Sequence, residues 1–110
     1  MVTESDLRHL AMLLPNTIAY PHFDRTAFKV ARTYVTLAPD GLTANFKFTP
    51  DEQEFKCMLL PTAFSIIPNG FGRMGWTTGT LANMTRDDLQ AALEMAYQHA
   101  LAKPKTKKTR

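Results

Sequence analysis

The clearest structural signal in the sequence is the stretch Leu42-Thr43-Ala44-Asn45-Phe46-Lys47-Phe48. Apolar and polar residues alternate along it, which is typical of a β-strand with one buried and one solvent-facing side. The next residues, Thr49-Pro50-Asp51-Glu52, carry the signals of a helix start. They are a capping threonine, a proline at the first helical position and a glutamate three residues after the cap. Residues 42–52 therefore predict a strand that leads directly into a helix.

Further strands are predicted on both sides of this unit, over residues 28–30, 34–37, 64–67 and 76–80. A turn signal, Ala38-Pro39-Asp40-Gly41, separates the second of them from residue 42. The short links between neighbouring strands favour an antiparallel sheet. Residues 15–26 are predicted to form an aromatic loop, and residues 70–75 a loop between two strands.

Three helices are predicted, over residues 4–14, 50–60 and 85–102, because apolar residues recur there at helical spacing. In the middle helix the apolar stripe consists of Phe55, Met58 and Leu59. The predicted order is α-βββ-α-ββ-α. The fold class is α+β, with an antiparallel sheet covered on one face by the N- and C-terminal helices.

Length and composition predict one globular domain over residues 1–102, since the chain has 110 residues, of which 45% are apolar. The longest unbroken apolar run, residues 10–14, falls far short of the roughly 20 residues that cross a membrane. The single cysteine, Cys57, excludes an intramolecular disulfide. We expect a bacterial, cytoplasmic monomer without a membrane partner.

Positive charge is concentrated at the C-terminus, although the whole chain carries only +3. Residues 103–110 are predicted to be a disordered basic tail that attracts polyanions. Its five basic residues are Lys103, Lys105, Lys107, Lys108 and Arg110. The other 102 residues carry eight basic residues against ten acidic ones, a net −2. On average, that body repels nucleic acid.

No residue pattern indicates a reaction, a cofactor or a metal site. Residues 70–75 match G-x-G-x-x-G, but a strand rather than a helix is predicted after them, so the dinucleotide-binding context is missing. Cys57 has no second cysteine and no base at a diagnostic spacing. The histidines lack metal-ligand spacing, and most acidic residues are explained by helix starts. We therefore expect no catalytic residue and a protein that is not an enzyme.

Two binding sites are predicted from exposed polar and aromatic residues. If the apolar residues of the strands point inward, Lys29, Asn45 and Lys47 point outward, and alternation places Tyr34 beside them. Such a face stacks bases and neutralises phosphates. Arg73 adds a further cation.

The alternative site is a pocket for a protein or a small ligand, near His22, Phe23 and Trp76. Trp76 is at the same time expected to anchor the core, because a large indole at the start of a strand is usually buried.

Several segments, taken in order, resemble the MmcQ/YjbR family. They are Leu14-Pro15, Tyr20-Pro21-His22-Phe23, Ala27-Phe28-Lys29-Val30, Tyr34-Val35-Thr36-Leu37, Pro50-Asp51-Glu52-Gln53-Glu54, Ala63-Phe64 and Arg73-Met74-Gly75-Trp76. The resemblance covers residues 7–102. It implies a frataxin-like (CyaY-like) α+β fold, described as a double-wing DNA-binding motif. It also implies DNA binding without catalysis. From the basic tail, which attracts phosphates without reading bases, we expect that binding to be weak and sequence-tolerant.

Overall fold

A computed structural model describes residues 2–102 of the protein. Within these residues there are four helices and six strands, with one turn of 3-10 helix at Leu81–Asn83. In chain order the elements are α1 (Glu4–Leu13), β1 (Ile18–His22), β2 (Arg25–Lys29), β3 (Thr33–Leu37), β4 (Thr43–Lys47), α2 (Pro50–Leu59), β5 (Phe64–Ile66), α3 (Gly70–Arg73), β6 (Trp76–Thr80) and α4 (Arg86–Leu101).

The six strands form one antiparallel sheet in the order β1-β2-β3-β4-β6-β5. Helix α4 packs across β3 and β4, α1 packs against α4, and α2 lies beside β5. The predicted α+β class, with the terminal helices on one face of an antiparallel sheet, is confirmed. No helix within residues 2–102 is both long and apolar enough to cross a membrane.

The hydrophobic core lies between this face of the sheet and the helices. Phe46 stacks on Phe48 with ring centroids 5.9 Å apart, and Phe64 meets both rings edge-on. The helices contribute Leu7, Leu10, Leu89 and Leu93, all of them buried. Burial of these side chains is the main stabilising contribution to the fold.

The three long helices begin with the same local structure. Thr3, Thr49 and Thr85 each accept a hydrogen bond from the backbone three residues later, and an acidic side chain there bonds back to the threonine N–H. Each such capping box satisfies backbone donors that a helix start leaves unpaired. The helix start predicted at Thr49 is confirmed.

Two elements differ from the sequence prediction. The predicted aromatic loop contains strand β1, which pairs with β2 and includes Pro21. A proline is tolerated there because β1 is the outermost strand of the sheet. The predicted loop at residues 70–75 contains the single helical turn α3, which Asn69 caps by accepting hydrogen bonds from the N–H groups of Phe71 and Gly72.

Helix α2 is oriented opposite to its predicted amphipathic pattern. The predicted apolar stripe is exposed, and Met58 is 75% accessible, while Gln53 and Lys56 are buried. Gln53 Nε2 donates hydrogen bonds to the carbonyls of Gly72 (2.9 Å) and Trp76 (3.0 Å). Gln53 and Lys56, rather than the apolar stripe, face the interior, so the sequence-based orientation was wrong.

Candidate functional site

The second face of the sheet is not covered by the three long helices. Cross-strand pairing places Thr36, Asn45 and Thr78 in one row across β3, β4 and β6, and it pairs Lys47 with Trp76 in the next row. We call this surface the uncovered face. Lys29, Asn45 and Lys47 lie on it, as the alternation predicted.

A cavity of about 510 Å³ lies on the uncovered face, between the β1–β2 turn on one side and residues 67–71 on the other. We call it the aromatic cavity. Its lining brings together His22, Phe23 and Trp76, the three residues of the predicted pocket. The lining also includes Asn45, which was predicted on the outward face of the sheet, and Asp24, Arg25 and Phe71, which were not predicted as site residues.

The two rims of the aromatic cavity carry exposed aromatic rings. Phe23 is 94% accessible and sits in the tight β1–β2 turn at φ +59°, a conformation that non-glycine residues rarely adopt. Its ring lies 4.8 Å from that of His22. Phe71, on the opposite rim, is 62% accessible. The neighbouring Gly72 allows the backbone of this turn to approach residue 67 closely, because a side chain at position 72 would collide with the Ile67 carbonyl.

Polar groups on the floor of the aromatic cavity are held in place by neighbouring side chains. Arg25 Nε donates to Thr36 Oγ1 (2.9 Å), and its Nη2 donates to the Thr36 carbonyl (3.2 Å). Thr78 Oγ1 donates to Asn45 Oδ1 (3.0 Å). Burial lowers the pKa of Arg25, an effect that the nearby Asp24 opposes, and the guanidinium remains charged.

A cluster of cations lies beside the aromatic cavity. Arg32, Lys47 and His99 line a smaller cavity of about 80 Å³ that shares Trp76 with the larger one. Arg32 donates to the carbonyls of His99 (2.6 Å) and Ala102 (2.8 Å) at the end of α4. We call Arg32 and Lys47, together with the adjacent His99, the cation cluster.

Burial and mutual repulsion shift the pKa values in the cation cluster. Burial, followed by the charge of Arg32, lowers the pKa of Lys47. Burial, followed by Lys47 and Arg32, lowers the pKa of His99. Only Glu52 acts in the opposite direction on each of the two groups. An anion bound here would relieve the repulsion.

Lys29 adds a cation with an aromatic partner. Its Nζ lies 5.3 Å from the centroid of the Tyr20 ring, on the neighbouring strand β1. The Tyr20 hydroxyl forms a hydrogen bond with Thr33, which fixes the ring on the uncovered face. A cation over an aromatic ring is a favourable contact that leaves the ammonium accessible to a phosphate.

Tyr34 does not lie on the uncovered face, so that prediction was wrong. Its side chain is fully buried, with its hydroxyl 2.9 Å from Thr17 Oγ1 and its ring 5.6 Å from that of Tyr97. The pairing register shifts between Phe28 and Lys29, so that an extra residue in β3 turns toward the helices. This irregularity breaks the alternation on which the prediction depended.

Two other predicted residues lie in unexpected surroundings. Trp76 is partly exposed and lines both cavities, so the prediction of a core anchor was wrong. It shares the uncovered face with its partner Lys47, whereas the adjacent Thr77 points into the core. Arg73 is exposed at the end of α3 and lines neither cavity.

The remaining predicted contacts, Lys103, Lys105, Lys107, Lys108 and Arg110, lie outside the described residues.

Charge is divided between the two sides of the domain. Eight of the ten acidic residues lie in α1, α2 and α4, which hold only three basic residues. Residues 18–47 contain four basic residues, Arg25, Lys29, Arg32 and Lys47, against two acidic ones. The net −2 of the body therefore consists of an acidic helical side and a basic sheet side.

Cys57 lies in α2 and lines neither cavity. Burial raises the pKa of the Cys57 thiol, which packs against the core. Within residues 2–102, no three or more His, Cys, Asp or Glu side chains form a metal-binding group. The N–H groups at the start of α3, inside the G-x-G-x-x-G match, are bonded to Asn69.

The fold and the site define an α+β domain whose sheet exposes a basic and aromatic face. No protein-family model and no curated protein matches the chain. Among solved structures, it is similar to the crystal structure of the Deinococcus radiodurans protein DR2400, described as a DUF419 domain. The TM-score is 0.78 at 24% identity, over 97% of this chain and 84% of that chain. At this identity the likeness shows the fold alone.

Proposed function

We propose that the protein binds single-stranded nucleic acid on its uncovered face and catalyses no reaction. The observation that carries this proposal is the concentration of aromatic rings and cations on one side of a domain whose other side is acidic. Base stacking on aromatic side chains, combined with a basic track for the backbone, is the general mode of single-strand binding.

The aromatic cavity supplies the stacking positions. The exposed rings of Phe23 and Phe71 stand on opposite rims, with Trp76 between them and the cation cluster. A base of a single strand is free to stack on these rings, because it is not paired with a second strand. A base in a duplex is paired and stacked, and cannot reach them without being extruded.

The cation cluster and Lys29 supply the backbone contacts. Lys47 and His99 line the small cavity next to Trp76, so a phosphate bound there is adjacent to a base stacked on Trp76. Burial and, after it, repulsion by neighbouring positive charges lower the pKa values of Lys47 and His99, and a phosphate contact relieves the second of these effects. Most of the affinity is electrostatic and sequence-tolerant, because contacts to phosphates carry no information about the bases.

The test is fluorescence anisotropy with a labelled single strand and the matching duplex, each at several salt concentrations. We expect the single strand to bind more tightly than the duplex at every salt concentration. Phe23→Ala should weaken single-strand binding about fivefold to tenfold, through loss of one stacking contact. Phe55→Ala is the matched control, because Phe55 is also an exposed phenylalanine but lies on α2.

Equal losses from Phe23→Ala and Phe55→Ala would contradict a site on the uncovered face. A variant with the five basic tail residues replaced by glutamine separates the share of residues 103–110 from that of the domain. If this variant no longer binds even at low salt, the tail carries the interaction and the uncovered face does not.

A second candidate function is binding of a small planar ligand in the aromatic cavity. Its volume falls within the range of roughly 300–1,000 Å³ that is typical of small-molecule sites. Binding of free nucleotides with micromolar affinity, without binding of any single strand, would favour this second candidate.

A further inference from the structure

We infer that the cation cluster is a site for a terminal phosphate monoester, so that the protein prefers single strands that end in a phosphate. This inference deepens the proposed function and rests on it. It concerns the smaller cavity beside Trp76, which Arg32, Lys47 and His99 line. A phosphate at the end of a strand differs from a backbone phosphate in its charge, in its number of free oxygens and in the number of sugars attached to it.

The small cavity is built from separate parts of the chain. Its lining combines Arg32, which follows β2, with Lys47 of β4, Trp76 of β6 and His99 of α4. Arg32 is held by the end of α4, because its Nε donates to the Ala100 carbonyl (3.3 Å) in addition to the two carbonyls already described. The position of this cation is therefore fixed before a ligand binds, which reduces the cost of binding.

The small cavity holds positive charge that no neighbouring acid neutralises. None of the described residues that line it is acidic. Within residues 2–102, neither Arg32 nor Lys47 forms an ion pair with a carboxylate. Glu52, the acid that acts on Lys47, does not line the cavity and accepts a hydrogen bond from the Thr49 N–H. Because Lys47 is partly buried, its charge is unfavourable without a counter-ion, and a bound anion supplies one.

The charge and the oxygens of a terminal phosphate match this cavity better than those of a backbone phosphate. A phosphate monoester carries a charge of about −1.5 to −2 at neutral pH and three acceptor oxygens. A backbone phosphodiester carries a single negative charge and has one free oxygen fewer. The permanent charges of Arg32 and Lys47 balance a dianion, and His99 can take up a proton when the dianion arrives.

The size of the small cavity also favours a terminal group. Its volume of about 80 Å³ is roughly the share of two to three water molecules in the liquid. This space holds a phosphate group but not a sugar and a base as well. A backbone phosphate has a sugar on each side, whereas a terminal phosphate has a sugar on one side only. The terminal group can therefore enter the cavity while the attached nucleoside stays outside, next to Trp76.

The experiment compares nine-nucleotide thymidine strands with a 5′-phosphate, a 3′-phosphate or hydroxyls at both ends, by competition against one labelled strand at constant salt and neutral pH. We expect at least one phosphate-ended strand to bind about tenfold more tightly than the hydroxyl-ended strand, the effect of one charge-assisted contact. An eleven-nucleotide strand with hydroxyl ends controls for charge, because its two additional backbone phosphates match a terminal dianion. This control should gain less than about twofold, since charge beyond the site is screened.

Variants locate the terminal phosphate. Lys47→Gln should reduce the ratio between the phosphate-ended and hydroxyl-ended affinities to less than about twofold. Lys29→Gln is the matched control, because it removes the same charge from the uncovered face but outside the small cavity. It should weaken both strands alike and keep the ratio. His99→Gln, whose side chain cannot take up a proton, provides a second variant and should also reduce the ratio.

The three histidines of the chain report the place of binding by nuclear magnetic resonance. His99 lines the small cavity, His22 lines the aromatic cavity and His9 lies on α1. The phosphate-ended strand should shift the His99 signals more than the hydroxyl-ended strand does. Both strands should shift the His22 signals to the same extent and leave those of His9 unchanged.

Equal affinities for phosphate-ended and hydroxyl-ended strands would overturn the terminal-phosphate inference and leave single-strand binding intact. A tenfold gain by the eleven-nucleotide control, or a ratio that Lys29→Gln lowers as much as Lys47→Gln does, would also overturn it, because the preference would then reflect charge alone.

Absence of binding by every strand would overturn the proposed function itself. In that case, thymidine monophosphate is titrated into the protein and into the Lys47→Gln variant. Binding that Lys47→Gln abolishes would support a phosphate monoester site that takes a free nucleotide. Absence of binding by the monophosphate as well would overturn both proposals.

Discussion

In strand β4, Phe46 points into the core, and its two neighbours Asn45 and Lys47 point to the uncovered face. The ring of Phe46 is buried against Phe48 and Phe64, whereas Asn45 and Lys47 remain partly accessible. One residue along the same strand thus separates a side chain that stabilises the fold from one available to a ligand. Substitutions on the two faces should therefore affect different measurements.

The largest expected effect is on the free energy of unfolding. Phe46→Ala should lower it by about 3–5 kcal/mol, because a large ring is removed from a close-packed core. Trp76→Ala, on the uncovered face, should lower it by only about 1 kcal/mol while weakening single-strand binding. Urea unfolding followed by circular dichroism measures both. Equal losses of stability would show that Trp76 is a core residue after all.

A smaller loss of stability is expected when a buried polar side chain of α2 is removed. Gln53→Ala removes the donor to the Gly72 and Trp76 carbonyls and should lower the free energy of unfolding by about 2 kcal/mol. Met58→Ala on the exposed stripe of α2 should change it by about 0.5 kcal/mol or less. The same unfolding measurement ranks the two variants, and the reverse ranking would contradict the orientation of α2.

On the uncovered face, the effect of removing a single cation should appear in the salt dependence of single-strand binding. Lys47→Gln should reduce the slope of log affinity against log salt concentration by about 0.7, the contribution of one phosphate contact with a single strand. Arg8→Gln, which removes an exposed cation of α1 paired with Glu4, should leave the slope unchanged. A reduced slope in both variants would mean that the nucleic acid binds the helical side of the domain as well as the uncovered face.

The smallest expected change concerns His99. Its pKa lies below the ordinary value of 6.5 because of burial and the charges of Lys47 and Arg32. The unfolded chain therefore takes up a proton on acidification before the folded protein does, and stability falls as the pH drops through about 6.5. Nuclear magnetic resonance titration should show this low pKa, and a rise in it when a single strand binds. Lys47→Gln should also raise it, whereas Lys29→Gln should not.

The elements with strong periodicity could be predicted from the sequence. The alternation in β4, the capping box at Thr49 and the apolar stripe of α4 each depend on residues close together in the chain. Strand β1 could not be predicted in this way, because residues 18–22 contain a proline and lack alternation. Its pairing with β2 is a tertiary property that overrides weak local preference.

The candidate site was predictable only in part, for a similar reason. His22, Phe23 and Trp76 stood out as large or titratable residues, and all three line the aromatic cavity. Asn45 was predicted on the outward face but not in this cavity, and Arg25 gave no signal of its own, since its position depends on Thr36 on the neighbouring strand. Tyr34 was assigned to the wrong face because the strand pairing is irregular, and no residue pattern in the sequence indicates this irregularity.

The division of charge between the helices and the sheet also has a consequence for the rate of association. A molecule with an acidic side and a basic side experiences a torque in the field of a polyanion, which turns the uncovered face toward the strand before contact. Encounters through the helical side are repelled and do not persist. Electrostatic steering of this kind acts on the association rate and decreases steeply with ionic strength. An uncharged planar ligand, which exerts no such field, would reach the same cavity without this advantage.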